Sequence, residues 1–120
     1  MNQLVAAFPA QMKEALEIAD SFSAKSKLPF TNVVICGLGG SGIGGTILSQ
    51  LIQEECPYPI TASKDYSIPG FVNENTLLIA CSYSGNTEET LEALSTAVAK
   101  NAQIACITSE GKLLEMAKSN

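Results

Sequence analysis

Residues 32–45, NVVICGLGGSGIGG, decide the fold that the sequence predicts. The run from Asn32 to Cys36 is short, apolar and β-branched, which is typical of a strand that is buried on both faces of a parallel sheet. A glycine-rich turn over Gly37–Gly45 follows at once and leads into a helix. A strand that passes through such a turn into a helix is the usual beginning of a βαβ unit.

Three further apolar runs extend this pattern. Ile60–Ser63, Thr76–Cys81 and Gln103–Thr108 predict three more strands, separated by turns and helical segments. Apolar strands that alternate with helices favour an α/β fold, a doubly wound parallel sheet of flavodoxin-like order 2-1-3-4. In that order the first and third strands are neighbours where the winding reverses, so the turns that follow them should face one crevice.

Helical spacing of apolar residues predicts which helix faces are buried. An initial helix is expected over residues 8–23, with Pro9 in its first turn. The residues expected to face inward are Phe8, Met12, Leu16, Ala19 and Phe22 in the initial helix, Ile43, Ile47, Leu48, Leu51 and Ile52 after the glycine turn, Leu91, Leu94 and Val98 in the helix ending at Lys100, and Leu113, Leu114 and Ala117 in a last short helix.

The composition excludes several classes of function. The chain has 120 residues, enough for one domain, and 46% of them are hydrophobic. Twelve acidic residues against seven basic ones give a net charge of −5, so we expect no nucleic-acid partner. Since no apolar run is long enough to cross a bilayer and no signal-peptide pattern occurs, we expect no membrane partner and a cytoplasmic location.

Histidine is absent from the chain, which excludes a Ser-His-Asp device and a Cys/His zinc site built from these residues alone. The four cysteines, Cys36, Cys56, Cys81 and Cys106, form no C-x-x-C pair. We therefore expect reduced cysteines that act as small core residues, and no metal.

The glycine turn is suited to binding an anion. Its glycines let a ligand approach the backbone, and Ser41 adds a hydroxyl at the beginning of a helix whose free N–H groups attract negative charge. The spacing Gly37-x-Gly39-x-x-Gly42 also matches a dinucleotide fingerprint, with Asp65 near the position of a ribose-binding acid. A nicotinamide dinucleotide domain is therefore one alternative, and a turn required only for helix packing is another.

The turn after the third strand, SYSGNTEE at residues 82–89, places three hydroxyls at the beginning of another helix. The spacing of Asn86 and Glu89 predicts a capping box, which leaves Ser82 and Ser84 unexplained. A network of local hydroxyl turns is the alternative. Serine and threonine hydroxyls together with helix N–H groups supply the donors that a phosphate needs without arginine. Because a dinucleotide domain does not require this second turn, we expect a small phosphorylated ligand and no cofactor.

Three stretches, GLGGSGIGG, DYSIPGFVNENTLLIACSYSGNTEETLEAL and SEGKLLEMAK, resemble the sugar isomerase (SIS) domain, in particular the N-terminal part of bifunctional phosphoglucose/phosphomannose isomerases. The resemblance implies a hexose phosphate ligand, contacted by Gly40 and Ser41 and held at its phosphate by Ser82, Ser84 and Thr87. It implies interconversion of glucose 6-phosphate or mannose 6-phosphate with fructose 6-phosphate through an enediol, by a homodimer whose sites are completed across the interface.

The resemblance further implies that this chain carries only part of the machinery. The family has a fifth strand and a second similar domain, which hold its glutamate base, its ring-opening histidine and a lysine. We therefore expect a lead-in helix over residues 1–31, an SIS-type domain over 32–120 that is incomplete at its C-terminal end, and no catalytic residue. The unpaired edge of the fourth strand predicts self-association. A non-catalytic SIS module that senses a phosphosugar is the alternative.

Overall fold

The computed structural model describes residues 1–23 and 29–119. Over these residues the chain forms a parallel sheet with helices before, between and after its strands. The elements are α1 (Asn2–Ser21), β1 (Asn32–Cys36), α2 (Gly39–Leu51), β2 (Ile60–Ser63), β3 (Thr76–Cys81), α3 (Glu88–Ala99), β4 (Gln103–Ile107) and α4 (Gly111–Ser119). The first three strands have the predicted bounds, and β4 ends one residue early.

All four described strands run parallel in the order β2-β1-β3-β4, which confirms the predicted α/β fold. Cys36 at the end of β1 is level with Ser63 of β2 and with Ala80 of β3. Because the strands are parallel and in this register, the turns that follow β1, β2 and β3 leave the sheet at the same edge. This edge is called the carboxyl edge below.

The core lies between the sheet and the helices α3 and α4. Its fully buried larger side chains are Val34, Leu78, Leu94 and Leu113. Helix α3 turns Thr90, Ala93, Leu94 and Ala97 inward. Val98, which was predicted to face inward, is 37% exposed, because it lies about 40° of helix rotation beyond Leu94, outside this buried stripe.

Helix α2 packs against the sheet through its glycines. The prediction that its apolar side chains face inward is therefore wrong. The buried residues are Gly42 and Gly45, whereas Ile43, Ile47 and Leu51 are exposed. A Cβ on Gly45 would stand 2.8 Å from Cγ2 of Ile35. The absence of a side chain therefore lets the helix backbone lie directly on β1, and the apolar side chains point away from the sheet.

Helix α1 begins at Asn2, six residues before the predicted position, and none of its residues is buried. Pro9 lies inside the helix and not in its first turn, so this part of the prediction is also wrong. A proline at this position removes the bond from its own nitrogen to the Val5 carbonyl, but the preceding residues include leucine and alanine, which favour helix. The apolar residues Phe8, Met12 and Leu16 are all more than half exposed.

The four cysteines are free thiols; Cys36 is buried and the other three are partly buried. Burial raises the pKa of the Cys36 thiol from 9.0 to about 11, with a smaller contribution from Cys81, against a lowering hydrogen bond with Ser63. Burial also raises the pKa of Cys81 and Cys106. The thiols of these strands are therefore protonated at neutral pH, as expected of core residues.

The raised pKa of Cys36 predicts a loss of stability in alkaline solution. Between pH 9 and 11 the unfolded chain loses its thiol proton before the folded chain does, so the free energy of unfolding falls as the pH rises. The contribution of Cys36 to the free energy of unfolding is fully present below pH 9, and about 2 kcal/mol of this contribution is lost by pH 11. Urea unfolding of wild type and Cys36→Ala at several pH values measures this difference. If the free energies of unfolding of wild type and Cys36→Ala differed by the same amount at every pH from 8 to 11, this prediction would be contradicted.

Candidate functional site

The turn after β1, called the glycine loop below (residues 37–42), ends in an uncapped helix. Helix α2 begins at Gly39, whose φ of +57° lies in the left-handed region that favours glycine. Leu38 supplies no side-chain cap, and the first bond of the helix runs from the Gly42 N–H to the Leu38 carbonyl at 3.3 Å. The N–H groups of residues 39–41 therefore have no partner among the described residues, and they can donate to an anion.

The glycine loop is folded tightly on itself but is open at one position. A Cβ on Gly42 would overlap the carbonyl oxygen of Gly37, and one on Gly37 would stand 2.9 Å from the carbonyl oxygen of Ser41. In contrast, a Cβ on Gly40 would meet nothing within 4 Å. The Ser41 hydroxyl has no hydrogen-bond partner in the part of the chain that the structure describes. Gly40 and Ser41 thus leave space and a free hydroxyl beside the unpaired N–H groups.

The turn after β3, called the hydroxyl loop (residues 82–87), is held by its own side chains. The Ser82 and Thr87 hydroxyl oxygens are 2.9 Å apart, and the Gly85 N–H donates to the Ser82 oxygen at 3.1 Å. The Ser84 oxygen accepts the Asn86 N–H at 3.3 Å. All three predicted phosphate-binding hydroxyls therefore take part in loop hydrogen bonds, which is what the alternative of a local hydroxyl network predicts.

These hydroxyls nevertheless keep some capacity to donate. Each hydroxyl carries one hydrogen and two lone pairs. The Ser82–Thr87 contact uses one hydrogen of the pair, and the Ser84 hydroxyl acts as an acceptor toward Asn86. Ser84 is exposed, Thr87 is half-buried and Ser82 is buried. The hydroxyl of Ser84 and one hydroxyl of the Ser82–Thr87 pair can therefore still donate to a ligand.

The predicted capping box between Asn86 and Glu89 does not form. Thr87 is the N-cap of α3 and makes no side-chain cap, and the first helix bond joins the Leu91 N–H to the Thr87 carbonyl at 3.0 Å. Asn86 lies one residue too early, and its side-chain oxygen instead accepts the Lys112 N–H of α4 at 3.2 Å. The amide of Asn86 thus ties the hydroxyl loop to α4, and the first N–H groups of α3 remain uncapped.

The two loops lie side by side at the carboxyl edge. A Cβ on Gly37 would stand 3.1 Å from the carbonyl oxygen of Cys81, the last residue before the hydroxyl loop. The uncapped beginnings of α2 and α3 therefore belong to one edge, with the free N–H groups of one and the hydroxyls of the other as available donors. Such helix beginnings attract anions.

The structure adds residues that the sequence did not single out. The segment after β2 contributes Lys64, whose Cγ lies 3.5 Å from where a Cβ would stand on Gly42. It also contributes Tyr66, whose pKa is raised chiefly by the carboxylate of Glu89, and further by loss of hydration, by Glu88 and by a hydrogen bond with Glu89. Their position directly after a strand that neighbours β1 is the only sequence signal that could have found them.

Asp65, the acid of the dinucleotide alternative, accepts the Tyr66 N–H at 2.7 Å in a local turn. In the described ranges no group of three metal-ligating side chains could hold a metal ion. Over those same residues no helix combines the length and the apolar character that crossing a bilayer requires.

Comparison with known proteins decides the family. The sequence profile of the SIS domain matches residues 31–113. The chain belongs to the SIS domain family. This membership, with the hydroxyl loop that a dinucleotide domain does not need, decides against the nicotinamide dinucleotide alternative.

Several curated relatives of this SIS domain are enzymes that act on phosphosugars by name. The chain is 45% identical over its whole length to a bifunctional phosphoglucose/phosphomannose isomerase of Caldicellulosiruptor bescii, and covers 36% of it. It is 52% identical, over 72% of its length, to one of Thermoplasma acidophilum, of which it covers 27%. It is 36% identical, over 89% of its length, to a D-glucosamine-6-phosphate 4-epimerase of Sulfolobus acidocaldarius, of which it covers 34%. The chain thus spans about a third of the length of these relatives.

Solved structures share the SIS fold. A Salmonella typhimurium protein provisionally described as a phosphosugar isomerase superposes with a TM-score of 0.66 at 24% identity. A Bacillus subtilis protein with the same description superposes with a TM-score of 0.64 at 25% identity. Each alignment covers 74% of this chain and 29% of the solved chain.

Proposed function

We propose that this chain is the N-terminal, phosphosugar-binding domain of an isomerase that interconverts glucose 6-phosphate or mannose 6-phosphate with fructose 6-phosphate. The observation that carries the proposal is that the glycine loop and the hydroxyl loop follow neighbouring parallel strands at the carboxyl edge, each leading into an uncapped helix. A sugar phosphate is anionic at one end and rich in hydroxyls at the other, which matches N–H and O–H donors on neighbouring turns. The names of the relatives support this class of ligand.

Each loop is assigned one part of the ligand. Gly40 and Ser41 contact the substrate, because the backbone at Gly40 is open and the Ser41 hydroxyl is free to bond. Ser82, Ser84 and Thr87 hold the phosphate, with Ser84 donating directly and the Ser82–Thr87 pair offering its remaining hydrogen. The N–H groups at the beginning of α3 complete the set of donors.

The chain alone is proposed to bind substrate with little or no turnover. Isomerisation through an enediol moves a proton between C1 and C2, which requires a base held at those carbons. The chain has no histidine. Of the two carboxylates in the first turn of α3, Glu88 is exposed, and Glu89 lies close enough to the Tyr66 phenol to raise the pKa of Tyr66. The base is therefore expected in parts of the isomerase outside this domain. Residues 1–31, which include α1, are proposed as its lead-in segment and residues 32–120 as its SIS unit.

A homodimer in the cytoplasm is the proposed state. Ile107 on β4 is 65% exposed, and the exposed side of α2 presents Ile43, Ile47 and Leu51. An unpaired strand edge and an exposed apolar helix face each favour pairing with another copy. Static light scattering at increasing protein concentration should show a dimer, and a monomer at the highest soluble concentration would contradict this state.

Calorimetric titration tests the proposed ligand. Fructose 6-phosphate should bind with a dissociation constant of about 0.1–1 mM, since neutral donors form modest bonds to a phosphate. Fructose should bind at least roughly tenfold more weakly, because it has no phosphate to accept the charge-assisted hydrogen bonds of the helix N–H groups. A coupled assay should detect no conversion to glucose 6-phosphate. Equal affinity for fructose and its phosphate would contradict the assignment.

No feature of the described residues favours the phosphosugar-sensing module over the isomerase.

A further inference from the structure

One lysine lies at the carboxyl edge beside the glycine loop. Lys64 directly follows β2, and the Gly37 N–H donates to the carbonyl of Ser63 at 3.1 Å, so Lys64 and Gly37 leave the sheet together. The Cγ atom of Lys64 lies 3.5 Å from the position a Cβ would take on Gly42. The stem of the lysine therefore passes Gly42, in the first turn of α2.

The ammonium group of Lys64 has no partner among residues 1–23 and 29–119. Lys64 makes no ion pair or hydrogen bond there. In contrast, Lys100 follows the last turn of α3, at the opposite edge of the sheet, and donates to the Gly70 carbonyl at 3.4 Å. Within the described residues Lys64 is thus an unpaired cation, and its side chain passes the first turn of α2.

The charges around the crevice are mostly negative, which would oppose the binding of a phosphate. The chain carries a net charge of −5, and Glu88 and Glu89 occupy the first turn of α3 beside the hydroxyl loop. These carboxylates repel a phosphate dianion, and the donors of the two loops are neutral. A positive charge on the other side of the glycine loop would offset this repulsion.

We propose that Lys64 is a substrate-positioning residue that attracts the phosphate of the ligand toward the carboxyl edge. Its role rests on the proposed function. Neighbouring strands are about 4.8 Å apart, so the backbones of Lys64 and Ser82, separated by β1, are about 10 Å apart. An anion above the end of β1 lies between them, within reach of a lysine's four-carbon stem. Lys64 acts on affinity by charge and takes no part in proton transfer.

Substitution of Lys64 with a neutral residue of similar length tests this role. Lys64→Gln should raise the dissociation constant of fructose 6-phosphate about tenfold at 20 mM salt, and Lys64→Arg should stay within about threefold of wild type. The difference between Gln and wild type should shrink at 300 mM salt, because salt screens exposed charges. Lys100→Gln is the matched control and should bind like wild type. Because Lys64 is exposed, the thermal midpoints of Lys64→Gln and Lys64→Arg should be unchanged.

The outcomes separate this role from the proposed function. If wild type binds fructose 6-phosphate and Lys64→Gln binds equally well at both salt concentrations, the role of Lys64 is wrong and the site stands. The same conclusion follows if Lys100→Gln weakens binding as much as Lys64→Gln. If wild type binds no hexose phosphate, both the proposed function and the role of Lys64 are wrong.

Discussion

Replacing Gly85 with alanine should destabilise the fold by about 3–4 kcal/mol, the combined cost of a left-handed alanine and an overpacked contact. Gly85 has a φ of +66°, and a Cβ there would overlap the carbonyl oxygen of Glu110 and stand 2.9 Å from the Thr108 hydroxyl. The hydroxyl loop and the beginning of α4 would have to separate. The Gly85 N–H to Ser82 bond and the Leu113 N–H to Gly85 carbonyl bond would be lost with them.

Urea unfolding followed by circular dichroism measures this effect, and Gly44→Ala is the control. Gly44 lies inside α2, where a Cβ would meet nothing within 4 Å. Alanine there should stabilise the protein by up to about 1 kcal/mol, the difference in helix propensity. If Gly85→Ala were as stable as wild type, the hydroxyl loop could not have the conformation described above.

Gly40→Ala should abolish most ligand binding while the protein stays folded. A Cβ on Gly40 meets no protein atom within 4 Å, and Gly40 is not among the glycines with positive φ, so the substitution costs the fold nothing. The added methyl group would, however, occupy the space that we assign to the substrate. We expect the dissociation constant of fructose 6-phosphate to rise by roughly 30-fold or more, as for a steric clash of about 2 kcal/mol.

Gly44→Ala also serves as the control for this binding experiment, because it adds the same methyl group to the same helix one turn further from the loop. It should bind like wild type. Equal affinity of Gly40→Ala and Gly44→Ala would show that the ligand does not contact the glycine loop at Gly40. A Gly40→Ala variant with a lowered urea midpoint would contradict the open space seen at this position.

The sheet could be predicted because its signal is local. Each strand is a continuous apolar run, and the alternation with helices restricts the order of strands to few choices. The packing of the helices could not be predicted in the same way. Apolar periodicity assumes that side chains are buried, but α2 buries Gly42 and Gly45 and exposes Ile43 and Ile47. Close approach of a backbone to Ile35 leaves no periodic apolar signal.

The candidate site was predictable to the extent that it follows from the sheet order. The turns after β1 and β3 had to be neighbours, and they are. The partners that come from elsewhere could not be predicted. Lys64 approaches Gly42 from β2, Tyr66 approaches Glu89 from the same segment, and Asn86 binds α4 instead of capping α3. Each of these contacts depends on register and side-chain direction, which the spacing of residues does not encode.

Amide chemical shifts during a titration with fructose 6-phosphate test most directly whether the two loops share one ligand. A ¹⁵N-labelled sample should show saturable shifts at residues 39–42 and at residues 84–90, with one common dissociation constant, while amides in α1 stay unchanged. Shifts confined to one loop, or different dissociation constants for the two loops, would contradict a shared phosphosugar site.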